Sequence, residues 1–97
     1  MDRQAALSVV FGAIDVVNGL RKAEDAIARQ PDVLLAGEGG PLDSLALITL
    51  ALSVERKVAE ITGKEVSLLD QTDFENQIGA FRTPSTIADL VVEKLNA

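Results

Sequence analysis

The sequence predicts an all-α domain, a small four-helix bundle of three longer helices and one short one, with a long loop before the second helix. Three observations carry this. Apolar residues recur at i, i+3, i+4 and i+7 in separate segments, the period of a helix face. Residues suited to cap helices stand at the heads of these segments. No segment alternates apolar with polar residues as a half-buried strand does. The 97 residues fit a single domain, one that buries roughly 60 to 70% of the surface its unfolded chain exposes.

In the first segment Leu7, Val10, Phe11, Ile14 and Val17 share one face of a helix running from about Asp2 to Asn18, with Asn18-Gly19 as a stop. Leu20 to Gln30 is Ala-rich with mixed charge and reads as a helical extension, so that residues 1–30 form the first unit. Pro31 and the run Ala36-Gly37-Glu38-Gly39-Gly40-Pro41 make residues 31–43 a loop, its glycines a flexible connector. The second helix spans 44–62. Asp43 or Ser44 can cap it, and Gly63 can end it. Its apolar residues are Leu45, Ile48 and Leu52 together with Leu47, Leu50, Val54, Val58 and Ile61, more than one face can hold. Leu47 and Leu52 read most simply as core. Residues 63–83 form a loop with a short helix starting at Thr72, where Thr72 and Glu75 have capping-box spacing and Phe74 and Ile78 turn inward. The last helix, 84–96, has Thr83 as cap and Pro84 at its first position, and carries Ile87, Leu90, Val91 and Leu95 on one face.

Composition excludes much chemistry. There are 15 acids and 9 bases, a net charge of −6, and no Cys, His, Trp or Tyr. Disulfides, zinc fingers, iron–sulfur clusters, His-ligated haem and His- or Cys-dependent nucleophilic catalysis are therefore unavailable to the chain itself. Asp70 and Asp73 have the spacing of an oxygen-ligand site but read as a solvated turn, and no metal is expected. The acidic balance argues against nucleic-acid binding, which needs clustered Lys or Arg; the only adjacent basic pairs are Arg21-Lys22 and Arg56-Lys57. The apolar stretch Ala5 to Ile14 is flanked by Asp2 and Asp15 and patterned as a helix, so a signal peptide is not expected. No segment approaches the ~20 apolar residues that span a bilayer. Charge is uneven: Pro31 to Glu55 holds Asp32, Glu38, Asp43 and Glu55 and no base at all.

The informative segment is Gly40-Pro41-Leu42-Asp43-Ser44-Leu45, between the long loop and the second helix. By itself Asp-Ser-Leu is also what an ordinary helix cap looks like. In its context the segment resembles the acyl carrier protein family, whose members carry Asp-Ser-Leu at the start of their second helix, matched here by Asp43, Ser44 and Leu45. The likeness continues with Ile48, Leu50, Val54 and Val58 where the family keeps apolar residues, and with Glu55 where it keeps an acid. Phe81-Arg82-Thr83-Pro84-Ser85-Thr86-Ile87, followed by Leu90, is similar to the approach to the family's last helix. The likeness covers roughly Pro31 to Leu95, and the first helix by pattern alone.

The resemblance implies an acyl-carrier-like bundle with a phosphopantetheine covalently attached to Ser44. Such a stand-alone carrier tethers acyl groups as thioesters and presents them to biosynthetic enzymes, and is not itself an enzyme. It further implies Asp43 as the acid that helps a phosphopantetheinyl transferase place its magnesium. Leu45, Ala46, Leu47, Ile48 and Glu55 become partner-binding residues. The implied partners are that transferase, an acyl- or aminoacyl-loading ligase and downstream enzymes, met by a cytoplasmic monomer. A serine at a helix N-terminus suits a phosphate, because unpaired N–H groups and the helix dipole favour an anion there.

Several positions depart from the family. Pro41 stands where a Gly is usual and Gly40 lies one place farther from the serine; Thr49 replaces a common acid; Arg56-Lys57 follow Glu55 where further acids are frequent. Steering to basic docking patches is thereby weakened and apolar contacts gain weight. The alternatives are an aminoacyl or peptidyl carrier of a specialised pathway, and an unmodified helical module that binds a partner through Leu45 to Leu52.

Overall fold

The computed structural model describes residues 1–36, 40–68 and 79–96, and of Ser44 the backbone. Among the described residues there are three α-helices, α1 over Arg3–Gly19, α2 over Ser44–Thr62 and α3 over Pro84–Leu95, with 3₁₀ turns at Ala23–Asp25 and Gly79–Phe81. Among the described residues there is no strand. The fourth, short helix expected from Thr72, with Phe74 and Ile78, falls outside the described residues, as do Asp70, Asp73 and Gly37 to Gly39.

α1 begins at an Asp2 cap whose carboxylate accepts the Ala5 N–H at 2.7 Å. It packs against both α2 and α3. Its buried residues are Ala6, Val9, Val10, Ala13, Ile14 and Val17, so the inward face is rotated from the expected one: Leu7 and Phe11 are only half-buried at its edge. Two helices approach α1 at once, and small residues at the centre allow the closer packing. Phe11 instead lies under the Arg29 guanidinium, 5.6 Å from ring centre to charge.

The expected helical extension from Leu20 to Gln30 does not form; a single 3₁₀ turn at Ala23–Asp25 is all the helix there, flanked by extended Lys22 and Ala26. Side chains of α1 capture this segment. The Asn18 amide accepts the Ile27 N–H at 2.8 Å and donates to the Ile27 carbonyl at 3.0 Å, burying Ile27. Arg29 pairs with Asp15 at 2.9 Å. A short Ala-rich stretch with one large apolar residue to bury gains more from these contacts than from helix propensity.

The loop before α2 is anchored at several points. Leu35, Ala36 and Leu42 are buried. The Leu35 N–H bonds the Arg82 carbonyl at 2.7 Å, the Leu42 N–H bonds the Leu35 carbonyl at 3.1 Å, and the Ser85 N–H bonds the Pro31 carbonyl at 3.0 Å. Gly40 is more than a connector: a Cβ there would lie 2.8 Å from the Leu35 carbonyl oxygen, so only glycine fits this closure.

α2 ends at Gly63, whose φ of 73° is left-handed and whose N–H reaches the Ala59 carbonyl. Leu47, Leu50, Ala51, Val54 and Val58 face the core. Leu45, Ile48 and Leu52 are exposed on the opposite side, so the broad stripe separates into a buried row and an outward row, and Leu52 is not a core residue; Ile61, near the end of the helix, is exposed apart from that row. α3 starts in a reciprocal capping box, Thr83 and Thr86 each accepting the other's N–H through the side chain, with Pro84 buried at its first position. The Thr86 hydroxyl also donates to the Ala80 carbonyl at 2.7 Å, holding the turn that carries the fully buried Phe81. Ile87 and Val91 are buried and Leu90 and Leu95 half-buried. Arg3 joins α1 to α3 through Asp89, at 2.7 Å, and Ser85.

Candidate functional site

The head of α2 is built by the loop that precedes it. Leu42 is drawn into the core and tied to Leu35, which stops the chain one residue short of the helix. Asp43 follows in extended conformation, φ −82° and ψ −179°, and of the two residues able to cap the helix it is Asp43 that does so. One carboxylate oxygen accepts the Ala46 N–H at 2.8 Å and its carbonyl accepts the Leu47 N–H at 2.9 Å. Ser44 is thereby the first residue of a 19-residue helix. The opening N–H groups of a helix have no intrahelical partner and its dipole is positive at this end.

Beyond Ser44 the outward row begins. Leu45 is 73% exposed, Ile48 40% and Leu52 59%. Positions i, i+3 and i+7 fall on one face, so these three form a continuous apolar ridge leading away from the serine. Of the other residues expected to touch partners, Ala46 is half-buried beside this ridge. Leu47 is a correction: it is buried in the hydrophobic core, on the same face of α2 as Ala51, Val54 and Val58, and it offers no surface to a partner. Glu55 stands at the far end of the outward row, half-buried, with its carboxylate accepting the Leu68 N–H at 2.7 Å. That bond ties down the segment after α2, a structural role the sequence did not disclose.

The charges expected to weaken acidic steering separate. Arg56 is outward and pairs with Glu60 at 3.5 Å. Lys57 turns toward α1, where its side-chain carbons lie over Gly12. Thr49, standing where an acid is common in the resembled family, donates its hydroxyl to the Leu45 carbonyl at 3.0 Å.

Sequence reasoning missed one feature. Val17, Leu20 and Arg21, at the end of α1, form one wall of an open cleft of about 200 Å³; Asp43, Leu45, Ala46 and Thr49 form the other. The residues on both sides of Ser44 therefore line it. Leu20, directly after a helix stop and with no apolar periodicity to satisfy, was the available signal. Among the described residues no group of three or more acids gathers as a metal site, and no helix is long and apolar enough to cross a membrane.

No family model, no curated protein and no solved structure matches this chain.

Proposed function

We propose that the chain is a carrier protein, with acyl groups held on a phosphopantetheine arm at Ser44 and presented to biosynthetic enzymes. The observation that carries this reading is the placement of Ser44 as the first residue of α2, between the Asp43 cap and the exposed ridge Leu45–Ile48–Leu52. When bound, the arm supplies the thiol that this Cys-free chain lacks, the atom on which acyl groups are carried as thioesters.

The residues present fit such a group. A phosphodiester on Ser44 lies at the positive end of a helix, the electrostatic setting that stabilises an anion. Asp43 uses one carboxylate oxygen, Oδ1, for the cap, which leaves the other for a metal held by a transferase. With no His in the chain, the base that activates the serine belongs to that transferase. Leu45 and Ile48, with Leu52 beyond them, offer the apolar surface against which partner enzymes dock. Glu55 and the half-buried Ala46 flank that surface. A loading ligase and downstream enzymes complete the partner set, and action as a cytoplasmic monomer is part of the same reading.

Co-expression with a broad-specificity phosphopantetheinyl transferase, followed by intact-mass measurement, tests the proposal. Wild type gains the mass of one phosphopantetheinyl group and Ser44→Ala gains none; a wild-type chain that stays unmodified overturns it. The exposed ridge also suits a second reading, an unmodified helical module. Under that reading Ser44→Ala retains function in the cell, whereas Leu45→Asp or Ile48→Asp abolishes it; a carrier loses function in all three.

A further inference from the structure

We propose, resting on the carrier reading, that the cleft between the end of α1 and the head of α2 is the seat of the arm's phosphate-proximal part, with Arg21 pairing the phosphodiester. Three observations converge on it. Asp43 and Leu45, the residues on either side of Ser44, and Ala46 after them line this cleft, which therefore opens beside the backbone of the serine.

Charge is the second. From Pro31 to Glu55 the chain holds four acids and no base, so a phosphodiester on Ser44 adds a negative charge beside the Asp43 carboxylate. Arg21, on the opposite wall, is the cation that lines the cleft. Its Nε donates to the Asp25 carbonyl at 3.1 Å, which ties the side chain to the end of the 3₁₀ turn at Ala23–Asp25. The guanidinium makes no other hydrogen bond among the described residues, and a planar fork with several N–H groups free is the side chain best suited to a phosphate.

Size and polarity are the third. Leu20 is 76% exposed and faces the same cleft as Leu45, an arrangement that leaves two leucines in water for no structural gain. Leu20 and Val17 on one side and Leu45 on the other offer apolar surface to the methyl-bearing carbons next to the phosphate. At about 200 Å³ the cleft is below the 300 to 1,000 Å³ that takes a drug-sized ligand, a size suited to the first part of the arm alone. Arg21 is a positioning residue: it holds the arm against α1 until a docked enzyme draws it away.

Amide shifts of the ¹⁵N-labelled chain before and after modification, with the ³¹P shift of the phosphodiester, test this. Seating predicts shift changes at Val17, Leu20 and Arg21 as well as at Leu45 to Thr49. Arg21→Gln should displace the ³¹P resonance, and Arg21→Lys should restore part of the difference. Leu20→Ser, at an exposed position that does not threaten folding, should reduce the change at Val17. A modified chain whose changes stay within a residue or two of Ser44, or a ³¹P shift indifferent to Arg21→Gln, overturns the seat and leaves the carrier reading standing. A chain that accepts no arm removes both.

Discussion

Replacing Asp43 separates its part in folding from its part in modification. The side chain is exposed, so truncation forfeits no apolar burial and opens no cavity; what is lost is the 2.8 Å bond to the Ala46 N–H. An N-cap truncated to Ala costs about 1 kcal/mol. With an unfolding entropy of ~2.1 cal/mol/K per residue, that lowers Tm by about 5 °C for a chain of this length. Asp43→Asn keeps an accepting oxygen and loses only the carboxylate's interaction with the helix dipole, a few tenths of a kcal/mol that added salt should screen. Thermal and urea melts followed by far-UV circular dichroism therefore rank wild type, then Asn close behind, then Ala. Under the carrier reading the order for modification differs: Asn and Ala are both taken up slowly, because both lack the carboxylate for the transferase's metal. Two results refute the reasoning. An Ala variant as stable as wild type means the cap contributes nothing, and an Asn variant as unstable as Ala means that charge, not the hydrogen bond, is what Asp43 supplies.

Two further perturbations follow from the fold. Asn18→Ala leaves the N–H and carbonyl of buried Ile27 without their partners and should cost about 1 to 3 kcal/mol, seen as faster hydrogen exchange at Ile27 than at neighbouring α1 amides; unchanged exchange there refutes the clamp. Phe81→Ala empties the largest fully buried site and should cost about 3 to 5 kcal/mol, read as a lower urea midpoint at constant slope. That is a large share of the roughly 5 to 15 kcal/mol that holds a domain together, and a loss under 1 kcal/mol would place Phe81 outside the core.

Helix heads were legible because caps are local. Asp2, Asp43 and Thr83 each bond an N–H three residues on, an interaction within reach of local spacing, although between Asp43 and Ser44 it was the structure that chose the cap. The inward face of α1 was legible only approximately: Val10, Ile14 and Val17 are buried as expected, but Leu7 and Phe11 lie at the edge and Ala6, Val9 and Ala13 take their place, the two alanines being residues that hydropathy undervalues and close helix approach favours. The segment after α1 was misread for a related reason. Its conformation is decided by Asn18, Asp15 and Phe11, residues 9 to 18 positions away, and propensity has no access to them.

The candidate site divides along the same line. The sequence by itself determined that Ser44 heads a long helix, that Asp43 stands beside it, and that more apolar residues follow than one face can hold, because all three depend on neighbours along the chain. Only the tertiary structure decided which leucines are outward. Leu47 and Leu45 are two residues apart on one helix, yet the core covers the first and leaves the second largely to solvent. It was also the fold that carried Leu20 and Arg21 back to the head of α2, across more than twenty positions of sequence. Burial and proximity are properties of surfaces brought together in space, and no spacing along the chain encodes them.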